Sequence, residues 1–303
     1  MTSPVRIEDR IARLKRERNA VILVHNYQPG PIQDIGDYVG DSLDLSRKAA
    51  ASTADVIVFC GVLFMAETAK ILSPNATVLM PDLNAGCPMA NMITARQLRN
   101  AKAKHPDALV VCYVNSSAEV KAESDVCCTS ANAVDVVRSI PDQKEIIFVP
   151  DRNLGAYVAS VTGRKLILWD GYCPTHQRIL PDHILKLKTE HPDAKVLVHP
   201  ECPAQTIALA DHVGSTSGIL KYCQQSDASE FIIGTELGII HRLAKENPAK
   251  TFYRVSEFAD CPDMKLTTLE KLLWSLQDMQ YEVTLPEPIR QRAERAIVTM
   301  LDL

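Results

Sequence analysis

Three Cys-Pro steps, Cys87-Pro88, Cys173-Pro174 and Cys261-Pro262, stand 86 and 88 residues apart (173−87, 261−173). Near-equal spacing over most of a 303-residue chain marks a triplicated unit, which restricts the possible folds more than any compositional property does. If the copies pack around a pseudo-threefold axis, the three thiols converge although they are remote in sequence. Three convergent thiolates leave a fourth metal position open, as reactive rather than structural metal sites do.

The intervals repeat one series of elements. An apolar strand ends in polar residues at 21–27 (VILVHNY), 109–115 (LVVCYVN) and 195–201 (KVLVHPE). His25, Tyr113 and His199 precede their own cysteines by 62, 60 and 62 residues (87−25, 173−113, 261−199). A short element then ends in hydroxyl residues at VGDS (39–42), CCTS (127–130) and VGST (213–216). A third strand enters a helix in VIVFCG before LFMAETAKIL, IIFVPD before NLGAYVAS and FIIGTE before LGIIHRLAKE. The last strands, TVLMP, KLILW and TFYRV, lead to the Cys-Pro steps.

Near-continuous apolar strands alternating with amphipathic helices predict short parallel sheets covered on both faces. The fold class is therefore α/β: three pseudo-threefold-related, three-layer αβα domains around a central cleft. The first is expected to span 1–86 with 264–303, the second 87–172 and the third 173–263. Ligands of such sheets bind beyond the carboxyl ends of the strands, where all three polar clusters lie. Outside the repeat, Ile7, Ile11 and Leu14 predict an N-terminal helix, and residues 266–279 and 286–301 predict two more.

A net charge of −4 gives no electrostatic footprint for nucleic acid or an anionic membrane surface. No apolar run approaches the ~20 residues of a membrane span, and residues 1–18 lack the apolar core of a signal peptide. Nine cysteines without an export signal indicate reduced thiols, some bound to metal, and a cytoplasmic location. Cys60 and Cys112 lie inside apolar strands and read as core. Cys127 and Cys128 are adjacent and make a poor joint ligand pair, while Cys223 carries no signal. Cys202-Pro203 is a fourth Cys-Pro step, but it falls 29 residues after Cys173 (202−173), off the repeat. Cys87, Cys173 and Cys261 are the expected ligands. Spacing alone leaves both a 4Fe–4S cluster with one open iron and a three-cysteine zinc with water.

The motifs in order resemble the quinolinate synthase family over nearly the whole chain. They are HNYQ (25–28), GDS (40–42), FMAE (64–67), CPMAN (87–91), YVNS (113–116), TSANAV (129–134), PDRNLG (150–155), CPTHQ (173–177), HPEC (199–202), GST (214–216) and GTE (234–236). The resemblance implies three αβα domains around a 4Fe–4S cluster on Cys87, Cys173 and Cys261. It also implies condensation of iminoaspartate with dihydroxyacetone phosphate to quinolinate, with loss of phosphate and water, in NAD biosynthesis. Functional coupling to an aspartate oxidase or dehydrogenase that makes iminoaspartate follows from it. Some members carry CxxCxxC at the last site, whereas this chain has only Cys261-Pro-Asp-Met, as in shorter members.

Ring assembly requires proton transfer near neutral pH, and His25, Tyr27, His199 and Glu201 supply the groups at two equivalent strand ends. Glu201 is expected as general base assisted by Tyr27, with His25 and His199 orienting substrate oxygens. Ser42, Ser130, Ser215 and Thr216 precede or begin helices, where free N–H groups favour anions and the same hydroxyls cap helices. Tyr113 and Asn115 are expected to bind substrate carboxylates, Met65 to line an apolar wall, and His176 to orient cluster or substrate. Glu236 either caps its helix or faces the cleft. Two other readings compete: a cluster-dependent hydro-lyase on another small dicarboxylate, and a zinc-stapled three-domain binding module.

Overall fold

The computed structural model describes residues 6–303; residues 1–5 of the expected first domain lie outside the described residues. The described residues form twelve strands: β1 Ala20–His25, β2 Tyr38–Gly40, β3 Val56–Cys60, β4 Thr77–Leu79, β5 Leu109–Tyr113, β6 Val126–Cys128, β7 Ile146–Val149, β8 Ile167–Leu168, β9 Lys195–Val198, β10 His212–Val213, β11 Glu230–Gly234 and β12 Thr251–Arg254. They form three four-stranded sheets in one repeated order, β2-β1-β3-β4, β6-β5-β7-β8 and β10-β9-β11-β12. Every pairing within them is parallel.

The central strands owe their place to composition. β3 is VIVFC and buried at every position, so only a strand covered on both faces accommodates it. In each sheet the chain runs outward from the first strand to the second, then crosses back to the third. That reversal puts a topological switch point beyond the ends of β1 and β3, of β5 and β7, and of β9 and β11.

Two side-chain and backbone ties recur in each copy. Asp37, Asp125 and Asp211 accept the N–H of Ile22, Val110 and Val196 at 2.9, 2.7 and 2.8 Å. Just beyond the third strand, the N–H groups of Leu63, Arg152 and Leu237 donate to the carbonyls of Ala85, Gly171 and Ala259 at 2.8, 2.8 and 3.1 Å. Each of these carbonyls lies two residues before a Cys-Pro cysteine (87−85, 173−171, 261−259). The three cysteines therefore occupy one structural position in three copies.

The chain divides into two compact units. One holds the chain through Cys87 with Pro262–Glu287, and the other holds Pro88–Cys261 with Pro288–Leu303. In the first, helices Ile7–Glu17 and Leu269–Asp278 pack together over the sheet, with Ile11, Ile22, Val58, Leu272 and Leu276 at the centre of the core. The second contains the other two sheets. Helix Glu287–Leu301, grouped by sequence with the first domain, lies mostly in this second unit. Arg292 there pairs with Glu123 at 3.2 Å, and Asn132 donates to the Met300 carbonyl at 3.5 Å. Among the described residues, no helix is long and apolar enough to cross a membrane.

Two stability outcomes follow. A Cβ on Gly234 would lie 2.4 Å from Val198 Cγ1 and 3.1 Å from the Leu197 carbonyl. Gly234→Ala should therefore cost about 1–3 kcal/mol in urea unfolding, since neighbouring backbone cannot withdraw cheaply. In the first unit, Asp82 accepts from Lys271 Nζ at 2.6 Å and from the Asn84 N–H at 2.8 Å. Burial pushes its carboxyl up, but Lys271 and Asn84 outweigh this and hold it below its ordinary value. A carboxyl lowered by folding stabilises above the unfolded pKa of ~3.9 and loses that contribution as pH falls through the folded value. Asp82→Asn should cost about 1–2 kcal/mol at pH 7 and progressively less below pH ~4 in urea unfolding. A difference that stays constant with pH would contradict this assignment.

Candidate active site

In the second unit, the third sheet supplies the centre. β9 ends at Val198, and the turn beyond it carries His199 and Glu201, 3% exposed each. Glu201 Oε1 accepts the Tyr113 hydroxyl at 2.5 Å and Asn115 Nδ2 at 3.5 Å. Its Oε2 lies 2.6 Å from His176 Nδ1 and 3.7 Å from His199 Nδ1. The His176 and His199 rings stack with centroids 4.7 Å apart. Four sequence-selected groups, Tyr113, Asn115, His176 and His199, thus meet on the one carboxylate selected as base.

Burial pushes the Glu201 carboxyl up. The charges of His176 and His199, with hydrogen bonds from His176 and Tyr113, more than offset that and hold it at about 2. The site is therefore an anion fixed among donors. Glu201 is buried, with the Tyr113 hydroxyl and His176 Nδ1 as its nearest side-chain neighbours.

The hydrogen-bond pattern assigns the histidine tautomers. The Glu201 N–H donates to His199 Nδ1 at 3.3 Å, so neutral His199 carries its proton on Nε2, 3.2 Å from Ser130 Oγ. The equivalent turn of the first unit repeats the device: the Tyr27 N–H donates to His25 Nδ1 at 3.1 Å. There the His25 and Tyr27 rings meet edge-on at 4.6 Å, and both are buried. Gln33 Nε2 holds that turn by donating to the carbonyls of Asn26 (3.0 Å) and Gln28 (2.8 Å), and Lys265 donates to the Tyr27 carbonyl at 2.5 Å. Met65, also in the first unit, is 3% exposed in helix Leu63–Leu72, beside Gly61 and Phe59.

The hydroxyl residues divide between two duties. Ser215 caps helix Thr216–Gln225, its Oγ accepting the Gly218 N–H at 3.2 Å, and Thr216 is buried at the first position. Ser42 opens helix Ser42–Ala50, but the cap is Asp41, whose Oδ1 accepts from Leu43 and Asp44 at 3.0 Å. Ser130 stays outside its helix and faces His199.

Sequence reasoning missed Asn153 and Thr235. Asn153 Nδ2 donates to the Glu201 carbonyl at 3.0 Å and to Gln177 Oε1 at 3.2 Å, joining the HPEC and CPTHQ segments. Thr235 Oγ1 lies 2.9 Å from His176 Nε2 and is fully buried. Both stand in motifs already noted, PDRNLG and GTE, just beyond the third strands, which was the available signal. His176 is 2% exposed, and its Nδ1 also lies 3.1 Å from Cys173 Sγ.

Six cysteines are buried, and only Cys87, Cys173 and Cys261 are half-exposed. Burial pushes the thiols of Cys60, Cys128 and Cys202 up, and that of Cys223 up to about 12, away from the thiolate that binds metal. Cys112 shares its sulfur with Ser116 Oγ at 3.0 Å inside β5, a satisfied core position. The accessible soft donors are thus the three at the Cys-Pro steps, a set suited to an iron–sulfur group. In the second unit, ligand atoms of Cys173, His176 and Glu201 also lie within 4.8 Å of one another, close enough to hold a metal ion.

A family model described as Quinolinate synthetase A protein matches residues 9–302. Quinolinate synthase of Methanosarcina barkeri is 56% identical over 293 residues, covering 97% of this chain and 96% of its own. That of Dehalococcoides mccartyi is 58% identical over 295 residues, with 97% of each chain covered. The Geobacter metallireducens protein of the same name is 56% identical over 295 residues, again with 97% of each covered.

Proposed function

The chain belongs to the quinolinate synthase family, and on that footing we propose that it condenses iminoaspartate with dihydroxyacetone phosphate to quinolinate, with loss of phosphate and water. The observation that carries the reading is the buried Glu201 network beside half-exposed Cys173.

Cys87, Cys173 and Cys261 would hold a 4Fe–4S cluster. When bound, such a cluster with one iron lacking a protein ligand supplies a Lewis acid for a substrate hydroxyl or carboxylate. Glu201 acts as the base, receiving protons relayed by Tyr113 or His176, and Tyr27 assists from its own strand end. His25 and His199 present Nε2–H groups that orient substrate oxygens. Asn115 Oδ1 is buried with no hydrogen-bond partner among the described atoms, which supports a substrate donor there. Tyr113, Ser130 and His176 border the same substrate. Ser215 and Thr216 supply an anion subsite at the start of a ten-residue helix, Ser42 offers its hydroxyl to the substrate, and Met65 contributes apolar surface.

The reactive thiols favour a reducing cytoplasm. The unstable imine substrate implies an aspartate oxidase or dehydrogenase as its source.

Anaerobic purification followed by iron, sulfide and zinc analysis tests the metal, and an assay with the two substrates tests the reaction. About four irons and four sulfides per chain are expected. A second reading rests on the Cys173, His176 and Glu201 donors: one zinc bound there, in a protein without cluster chemistry. Stoichiometric zinc without sulfide would select it.

A further inference from the structure

Glu236 is fully buried, and both of its carboxylate oxygens meet backbone N–H groups. Its Oε1 accepts the Cys261 N–H at 3.1 Å, and its Oε2 accepts the Gly238 N–H at 2.7 Å, just before helix Ile239–Glu246. The Leu237 N–H adds its bond to the Ala259 carbonyl. Residues 236–237 therefore grip the loop on both sides of Asp260, immediately ahead of the Cys-Pro step. From the other side, Thr175 Oγ1 donates to the Asp260 carbonyl at 3.5 Å.

Burying a carboxylate is costly, and a serine or asparagine would cap the helix without a charge. A carboxylate is required only if two N–H groups must be satisfied at once, because an amide offers one acceptor and turns a donor toward the other N–H. The second N–H belongs to Cys261. Asp151 stands at the same place in the second copy: its Oδ1 accepts the Asn153 and Leu154 N–H groups of its own helix, and the Cys173 N–H also bonds to its carboxyl. Val62 stands there in the first.

We propose that Glu236 is a positioning residue for Cys261, fixing the backbone of the last Cys-Pro step so that its thiolate is presented in one direction. The inference rests on Cys261 being a cluster ligand. It predicts that cluster retention depends on a side chain that does not itself bind metal.

The test uses the full-length chain and its Glu236→Gln and Glu236→Ala variants. After iron is removed with a chelator, the alkylation rate of each cysteine by iodoacetamide is measured by mass spectrometry. In Glu236→Gln, Cys261 should label about tenfold faster while Cys87 and Cys173 stay within about twofold, a selectivity that general destabilisation would not give. The loaded variant should lose iron to the chelator about tenfold faster and show an altered electron paramagnetic resonance spectrum of the reduced cluster. Equal Cys261 labelling in wild type and natively folded variants would overturn the proposal. Should both variants fail to fold, hydrogen exchange of wild-type residues 255–265 decides: a protected Cys261 amide supports the clamp and an unprotected one overturns it. Wild-type protein that binds no iron and sulfide would defeat the cluster reading, while labelling would still decide the Glu236 contact.

Discussion

Glu201→Gln is expected to lower turnover about 10³-fold while iron and sulfide content stay at the wild-type level. The substitution keeps the size of the side chain and removes its charge. One oxygen can still accept from Tyr113 or from His176, but the amide nitrogen then turns a donor toward the other. The 2.5 Å bond from Tyr113 and the 2.6 Å contact with His176 cannot both survive. Loss of the anion also leaves His176 and His199 stacked at 4.7 Å with no carboxylate beside them. Steady-state kinetics alongside iron and sulfide analysis separates the two effects. Activity within tenfold of wild type would reject Glu201 as the proton acceptor.

Cys173→Ala should abolish both the iron–sulfur centre and measurable activity, whereas Cys202→Ala should keep the iron. Both cysteines precede proline and both lie in the second unit, so the contrast isolates position from residue type. Cys173 is half-exposed beside His176, and its removal deletes a soft donor at little cost in packing. Cys202 is fully buried, with Sγ 3.5 Å from the Gly234 carbonyl. Its truncation should cost about 1–2 kcal/mol in unfolding and nothing in metal content. Iron retained in Cys173→Ala, or lost in a folded Cys202→Ala, would reverse the assignment.

Much of this was legible because strand burial leaves a crude record. Residues 21–27, 109–115 and 195–201 are too uniformly apolar for one-sided sheets, and they gave β1, β5 and β9, with their polar ends where the sites are. Asp37, Asp125 and Asp211, spaced 88 and 86 residues apart (125−37, 211−125), make an equally regular repeat that sequence reasoning passed over. An aspartate before a short strand looks like an ordinary turn residue, and its bond to the neighbouring strand exists only after folding. Asn153 and Thr235 were passed over as site residues for a related reason: beyond their motifs, their bonds run to groups remote in sequence, which no local spacing encodes. Sequence grouped the closing helix with the first domain, since an amphipathic stripe shows that a face is buried and not against what. Its partners, Glu123 and Asn132, lie more than 160 residues away (292−123, 300−132).

The central claim is that the three equivalent Cys-Pro cysteines, and no others, hold the reactive metal. Site-resolved alkylation of anaerobically purified protein, before and after iron removal, tests it most directly. Cys87, Cys173 and Cys261 should be protected in the loaded protein and become reactive together on iron removal. The six buried cysteines should stay unreactive throughout. If any of the three labels equally in both states, or if a buried cysteine such as Cys202 changes in its place, the account is contradicted.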